Sequence, residues 1–153
     1  MSPQKQNHPL PMTAKVSELM STKVVTLDVE SATAYDVARE ILNHDIGCVV
    51  VVKSGTKGGG GKKVVGIVTK GDILREAVMK RLDPQKISVE SIMSRPVATV
   101  SMADTLAEAS ELMSSKSVSK LPVLGDDGEL VGILSTTDIV RRSRPKKLAK
   151  DSI

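Results

Sequence analysis

Apolar residues recur along this chain in two alternating styles. From Ala32 to His44, and again from Asp104 to Ser115, they fall at helical spacing with charged residues on the opposite face, which predicts two amphipathic helices. Each stretch is followed by a pair of short, nearly continuous apolar runs. These are Cys48 to Val52 with Val64 to Val68, then Leu121 to Leu124 with Leu130 to Leu134. Runs of this length bounded by turn residues predict buried strands. A briefer strand precedes each helix, at Val24 to Leu27 and at Val97 to Val100, after a helical turn ending at Met20 or Met93. A last helix starts near Gly71 or Thr137. The second strand pair is joined by Gly125-Asp-Asp-Gly-Glu129, a hairpin turn. The first is joined by the longer Ser54-Gly-Thr-Lys-Gly-Gly-Gly-Gly-Lys-Lys63.

The elements repeat because the sequence does. Val16-Ser-Glu-Leu-Met-Ser-Thr-Lys-Val-Val-Thr26 aligns with Val89-Glu-Ser-Ile-Met-Ser-Arg-Pro-Val-Ala-Thr99. Ile46-Gly-Cys-Val-Val-Val-Val52 aligns with Val118-Ser-Lys-Leu-Pro-Val-Leu124. Val65-Gly-Ile-Val-Thr-Lys-Gly-Asp-Ile-Leu-Arg75 aligns with Val131-Gly-Ile-Leu-Ser-Thr-Thr-Asp-Ile-Val-Arg141. The chain then divides into a disordered segment at 1–12, a first repeat at 13–82, a linker at 83–88, a second repeat at 89–142 and a basic tail at 143–153. A unit of about 60 residues is marginal alone, so the two are expected to share one core.

A strand-helix-strand-strand-helix unit in tandem, ending in Gly-apolar-apolar-Ser/Thr-x-x-Asp, resembles a pair of CBS (cystathionine beta-synthase) domains, the Bateman module. The resemblance covers Val16 to Arg142. It implies a mixed α/β (α+β) fold of two β-α-β-β-α repeats, packed through their sheets with pseudo-twofold symmetry and leaving two clefts. It also implies a stand-alone, non-catalytic regulatory module. Such a module binds an adenine nucleotide (AMP, ADP, ATP, or S-adenosylmethionine) between the repeats and acts as an energy or ligand sensor. A homodimer is expected with it, and an aliphatic face at Leu106, Ala109, Leu112 and Met113 would serve, unless that face is ordinary core. The regulated partner is not specified.

Candidate ligand residues follow from the matched quartets Thr69-Lys-Gly-Asp72 and Ser135-Thr-Thr-Asp138. Each sits where a buried strand meets a helix, and free N–H groups at a helix start suit a phosphate. The Thr69 or Ser135 hydroxyl can add a hydrogen bond, and a carboxylate at Asp72 or Asp138 can accept both ribose hydroxyls. The same spacing is a capping box, and the two roles are compatible in an empty protein. The resemblance makes the aspartates ribose ligands and puts Thr69, Ser135 and Thr137 beside phosphates. It places the base against Val24, Val25 and Thr26 with Ile46, Gly47 and Cys48, or against Val97, Ala98 and Thr99 with Val118, Ser119 and Leu121. Lys120 enters a buried strand where the family can place a phosphate-contacting base, or it reaches solvent from an edge. Its counterpart is Cys48, and that of Thr137 is Gly71, so the Asp138 cleft is expected to be the better polyphosphate site.

Composition narrows the alternatives. Phe and Trp are absent, which removes aromatic platforms for single-strand binding. The only cysteine, Cys48, permits no intrachain disulfide and no Cys-based zinc site, and no histidine is placed to activate it. It is expected to be a small buried apolar residue. Neither a catalytic carboxylate pair nor a metal cluster is evident: Glu108 and Glu111 lie on a solvated helix face, and Asp126 and Asp127 are turn residues. An enzyme is not expected, nor a cofactor beyond the ligand. Thr56 to Lys63 fails as a P-loop, since its first glycine position is Thr56 and Lys63 stands where a hydroxyl should follow the lysine. The net charge of +4 belongs to the tail, where Arg141 to Ile153 holds six basic residues and one acidic one. The rival reading is a dimerising adaptor whose tail docks on nucleic acid or a protein partner. Without an apolar span or signal pattern, a cytoplasmic protein is expected.

Overall fold

Two three-stranded sheets, each backed by helices, carry the chain. The computed structural model describes residues 9–55, 62–95 and 97–142. The first copy runs β1 (Thr26–Asp28), α1 (Ala34–His44), β2 (Cys48–Lys53), β3 (Lys63–Thr69) and α2 (Lys70–Ile73), which continues as a π-helical turn at Leu74–Val78. The second runs β4 (Val100–Ser101), α4 (Leu106–Lys116), β5 (Lys120–Leu124), β6 (Leu130–Ser135) and α5 (Thr136–Arg141), preceded by the short α3 (Val89–Ile92). In both sheets the first strand pairs parallel with the second, and the second antiparallel with the third. Both carry a register shift at the same place, Val51/Val52 and Val123/Leu124. The first strand of each sheet starts later than its apolar run: Val25 already accepts a hydrogen bond from Val50 N at 3.0 Å, but the ladder begins at Thr26.

Local chemistry explains the boundaries. The Thr33 hydroxyl accepts from Asp36 N while Asp36 accepts from Thr33 N, so α1 starts on a reciprocal cap. Val37 and Ile41 then lie one turn apart on its buried face. Thr105 caps α4 from one side only, its hydroxyl accepting from Glu108 N. Both helices end on a left-handed residue, Asp45 or Ser117, rather than glycine. Strands β2 and β5 are buried on both faces, which is why they read as continuous apolar runs rather than alternating ones. Val49 and Val51 face the helices of the first copy, and Leu121 and Val123 those of the second. Cys48 and Val50, with Lys120 and Pro122 in β5, take the opposite face by period two.

The expected single core is two cores. Ala32, Ala34, Val37, Ile41, Val49, Val51 and Val68 pack in one; Val100, Leu106, Ala109, Met113, Leu121, Val123, Leu134 and Ile139 pack in the other. Each is completed by the opening turn of the other copy. Ala14 and Val16 insert into the second core, and Val89 and Ile92 into the first. Paired backbone bonds lock the exchange: Ser21 and Ile133 donate to each other at 2.9 Å, and Ser94 pairs with Ile67 in the matching way. The proposed dimer face is core: Leu106 and Ala109 are fully buried and Met113 nearly so. Within the stretch expected to be disordered, Leu10 and Met12 pack against the second core. Residues 1–8, the Gly-rich segment 56–61 and the tail 143–153 lie outside the described residues. Among the described residues no helix is long and apolar enough to cross a membrane.

Candidate functional site

The exchange sets the first copy's early segment against the second copy's last strand and helix. Between them lies a cavity of about 220 Å³. Its wall from the first copy is Ser21, Lys23, Val24, Val25, Asp45, Ile46, Gly47, Cys48 and Val50; from the second come Lys120, Ile133, Ser135 and Asp138. A second hollow, about 370 Å³, adjoins it at Val24 and is bounded by Thr22, Thr26, Val52, Lys62, Glu129, Leu130 and Val131. Eight of the residues singled out from sequence therefore meet in one place: Val24, Val25, Ile46, Gly47, Cys48, Lys120, Ser135 and Asp138. They do not meet within one copy. The Asp138 cleft takes most of its apolar wall from the first repeat.

Lys120 faces this cleft rather than solvent. Its chain passes the start of β2 so closely that a Cβ on Gly47 would stand 3.1 Å from its Nζ. A side chain at position 47 would thus have to push the tip of this lysine aside by a few tenths of an ångström. The neighbouring Cys48 is buried, and burial pushes its thiol up from 9.0 to about 11, with the Lys120 charge pulling in the opposite direction. Protonated at neutral pH, it is a packing residue and not a nucleophile.

Both quartets form the reciprocal cap. Asp138 Oδ2 accepts from Ser135 N at 2.9 Å, and Ser135 Oγ accepts from Asp138 N at 3.0 Å. Thr69 and Asp72 do the same at 2.8 and 3.3 Å. The helix starts are less open to phosphate than the sequence suggests. Thr136 N donates to Ser119 O at 2.9 Å, Lys70 N to Gly47 O at 3.3 Å, and the third N–H of each helix goes to the cap hydroxyl. Both helices are also short. The positive charges lining the cavity are those of Lys120 and Lys23. The Ser135 hydroxyl, an acceptor in the cap, keeps its own proton to donate.

The remaining candidates fall elsewhere. Thr69, Asp72, Ala98, Val118, Ser119, Leu121 and Thr137 do not line this cavity. Leu121 is fully buried in the second core, so its apolar character is explained by packing. Ala98 packs against the same core, Val118 and Ser119 are exposed at the β5 entry, and Thr137 is exposed on α5. Lys23 and Asp45 were not singled out, yet both line the cavity. They stand opposite Pro96 and Ser117 in the aligned copies, so the charge mismatch that flagged Lys120 marks them too. Among the described residues, no cluster of three or more metal-ligating side chains occurs.

The family model described as CBS domain matches residues 16–78 and 89–144. An uncharacterized protein of Methanopyrus kandleri is 32% identical over 126 residues, which are 82% of this chain and 61% of that protein. The chain thus spans less than two thirds of that relative. A CBS domain protein from Pyrobaculum aerophilum, complexed with AMP, superposes with a TM-score of 0.71 at 28% identity, covering 90% of this chain and 97% of the other. Another CBS domain pair, in complex with 5'-methylthioadenosine and S-adenosyl-L-methionine, gives 0.68 at 27% identity over 86% and 95%.

Proposed function

Because the chain belongs to the CBS domain family, we propose that it is a non-catalytic regulatory module that binds an adenine nucleotide (AMP, ADP or ATP, or S-adenosylmethionine) in the Asp138 cleft and serves as a ligand sensor. One observation carries this reading: a single cavity gathers Asp138, Ser135 and Lys120 from one repeat with Val25, Ile46 and Cys48 from the other. Asp138 Oδ1, which has no protein partner among the described residues, accepts a ribose hydroxyl. Ser135 donates its hydroxyl proton to phosphate, and Lys120 with Lys23 balances the phosphate charge. Val24, Val25, Ile46, Val50 and Ile133 offer an aliphatic slot to the base. Structural neighbours holding AMP and S-adenosyl-L-methionine support the ligand class. In a counterpart cleft Asp72 is assigned to ribose and Thr69 to phosphate, with Ala98, Val118 and Ser119 on the base side, while the exposed Thr137, next to Asp138 on α5, is assigned to phosphate at the Asp138 cleft. A ligand touching both repeats stabilises the arrangement in which they close on it, and that differential affinity is the signal. The module is taken to act in the cytoplasm as a homodimer.

The test is a thermal-shift panel of AMP, ADP, ATP, S-adenosylmethionine, NAD and GTP. At 100 times the dissociation constant a ligand stabilises the fold by about 2.7 kcal/mol. Adenine ligands should raise the melting temperature, and Asp138→Ala should reduce the rise. No shift at millimolar concentrations of any of the six removes the reading.

A further inference from the structure

Both copies carry an arginine three residues after the cleft aspartate: Arg75 after Asp72, and Arg141 after Asp138. On a helix this spacing lets the side chains meet. Among the described residues only the first pair closes. Arg75 Nη2 donates to Asp72 Oδ1 at 2.8 Å, while Asp72 Oδ2 accepts from Thr69 N, also at 2.8 Å. Both carboxylate oxygens of Asp72 are therefore occupied. Asp138 uses Oδ2 alone, in its cap.

The cause lies one residue earlier. A Cβ at Gly71 would stand 2.9 Å from Arg75 Nη1 and 3.5 Å from both Cζ and Nη2. The guanidinium thus folds back over the gap left by a missing side chain. The second copy fills the matching place with Thr137, and Arg141 forms no ion pair among the described residues. From this geometry we infer that Arg75 is a latch that holds the Asp72 carboxylate away from ribose, so that the Asp138 cleft fills first. The inference rests on the nucleotide reading. It assigns the order of filling to Gly71 and Arg75, whereas the aligned sequences assign it to hydroxyls and cations near phosphate. Arg75 is two-thirds exposed, so the latch is weak and screened by salt, and lowers affinity by about two- to fivefold.

Calorimetric titration of the full chain with AMP tests it, at low and at high salt. Arg75→Ala removes the latch. Gly71→Thr displaces the guanidinium while keeping its charge. Each should tighten the weaker site by about two- to fivefold at low salt, and the same gain should appear when Asp138→Ala has removed the stronger site. High salt should shrink the difference from wild type. Unchanged or weaker binding at that site in Arg75→Ala makes the arginine a bystander or a ligand contact and overturns the latch. A weaker site lost on Asp138→Ala rather than on Asp72→Ala also overturns it. Wild-type protein that binds no adenine ligand, with variants that also bind none, defeats the nucleotide reading and the latch with it.

Discussion

Cys48 and Lys120 hold equivalent positions at the starts of β2 and β5, and the pseudo-twofold arrangement brings these unlike residues together at one cleft. The thiol ionises at 9.0 in an unfolded chain and near 11 when folded. A raised thiol pKa keeps the folded protein neutral there while the unfolded chain loses its proton. The stabilisation is therefore complete below pH 9 and disappears between pH 9 and 11, a loss of roughly 2–3 kcal/mol. Urea melts of wild type and Cys48→Ala across this window should show a steeper alkaline decline in the wild type. Parallel declines would mean that Cys48 does not titrate as its burial requires. Gly132 is a second residue whose role is set by contact. A Cβ there would stand 2.8 Å from the Ser21 carbonyl and 2.7 Å from Met20 Sδ. The tip of a methionine can swing aside, but a paired backbone carbonyl cannot. Gly132→Ala should cost about 1–3 kcal/mol. An unchanged midpoint in urea titrations would sink this reading.

At the scale of elements, the exchanged openings matter most. Val16 lies in the second core and Val89 in the first, so the contiguous repeat is not the folding unit. A fragment of residues 9–82 carries an opening turn with nowhere to insert, and its core lacks Val89 and Ile92. A fragment of residues 22–95, equal in length, holds every buried residue of the first core. The second fragment should melt cooperatively and the first should not, although small size keeps both marginal. Circular dichroism melts decide the matter; equal cooperativity would make the exchange incidental. The helices and the last two strands of each copy were legible in the sequence because period 3.6 and continuous apolar runs are local signals. The exchange was not. It depends on Ser21 meeting Ile133 and Ser94 meeting Ile67, and the polar partner in each pair carries no pattern that names a distant strand. The site was half legible for the same reason. Asp138, Ser135 and Lys120 were found by aligning the copies, but alignment pairs each residue with its counterpart rather than its neighbour. It could not show that Val25 and Ile46 complete the Asp138 cleft, or that Lys23 and Asp45 share it.

For the whole molecule, a cleft with one wall from each repeat makes ligand binding a contact between halves that have separate cores. The first repeat supplies most of the aliphatic lining, and the second the lysine, hydroxyl and carboxylate assigned to the proposed nucleotide. A ligand that needs both walls has a binding energy that depends on how the repeats sit relative to each other, and its occupancy would restrain that placement. Local opening of each half should slow together when the cleft fills. Hydrogen exchange of the full chain with and without AMP measures this. Protection should rise at Val24 to Thr26 and Ile46 to Val50 in the first repeat, and at Ile133 to Asp138 in the second, to a similar degree. Asp138→Ala should remove both sets, because the ribose anchor in one repeat holds the base against the other. If protection stays confined to Ile133 to Asp138, the ligand sits on the second repeat alone, and the cavity between the halves is not what it reads.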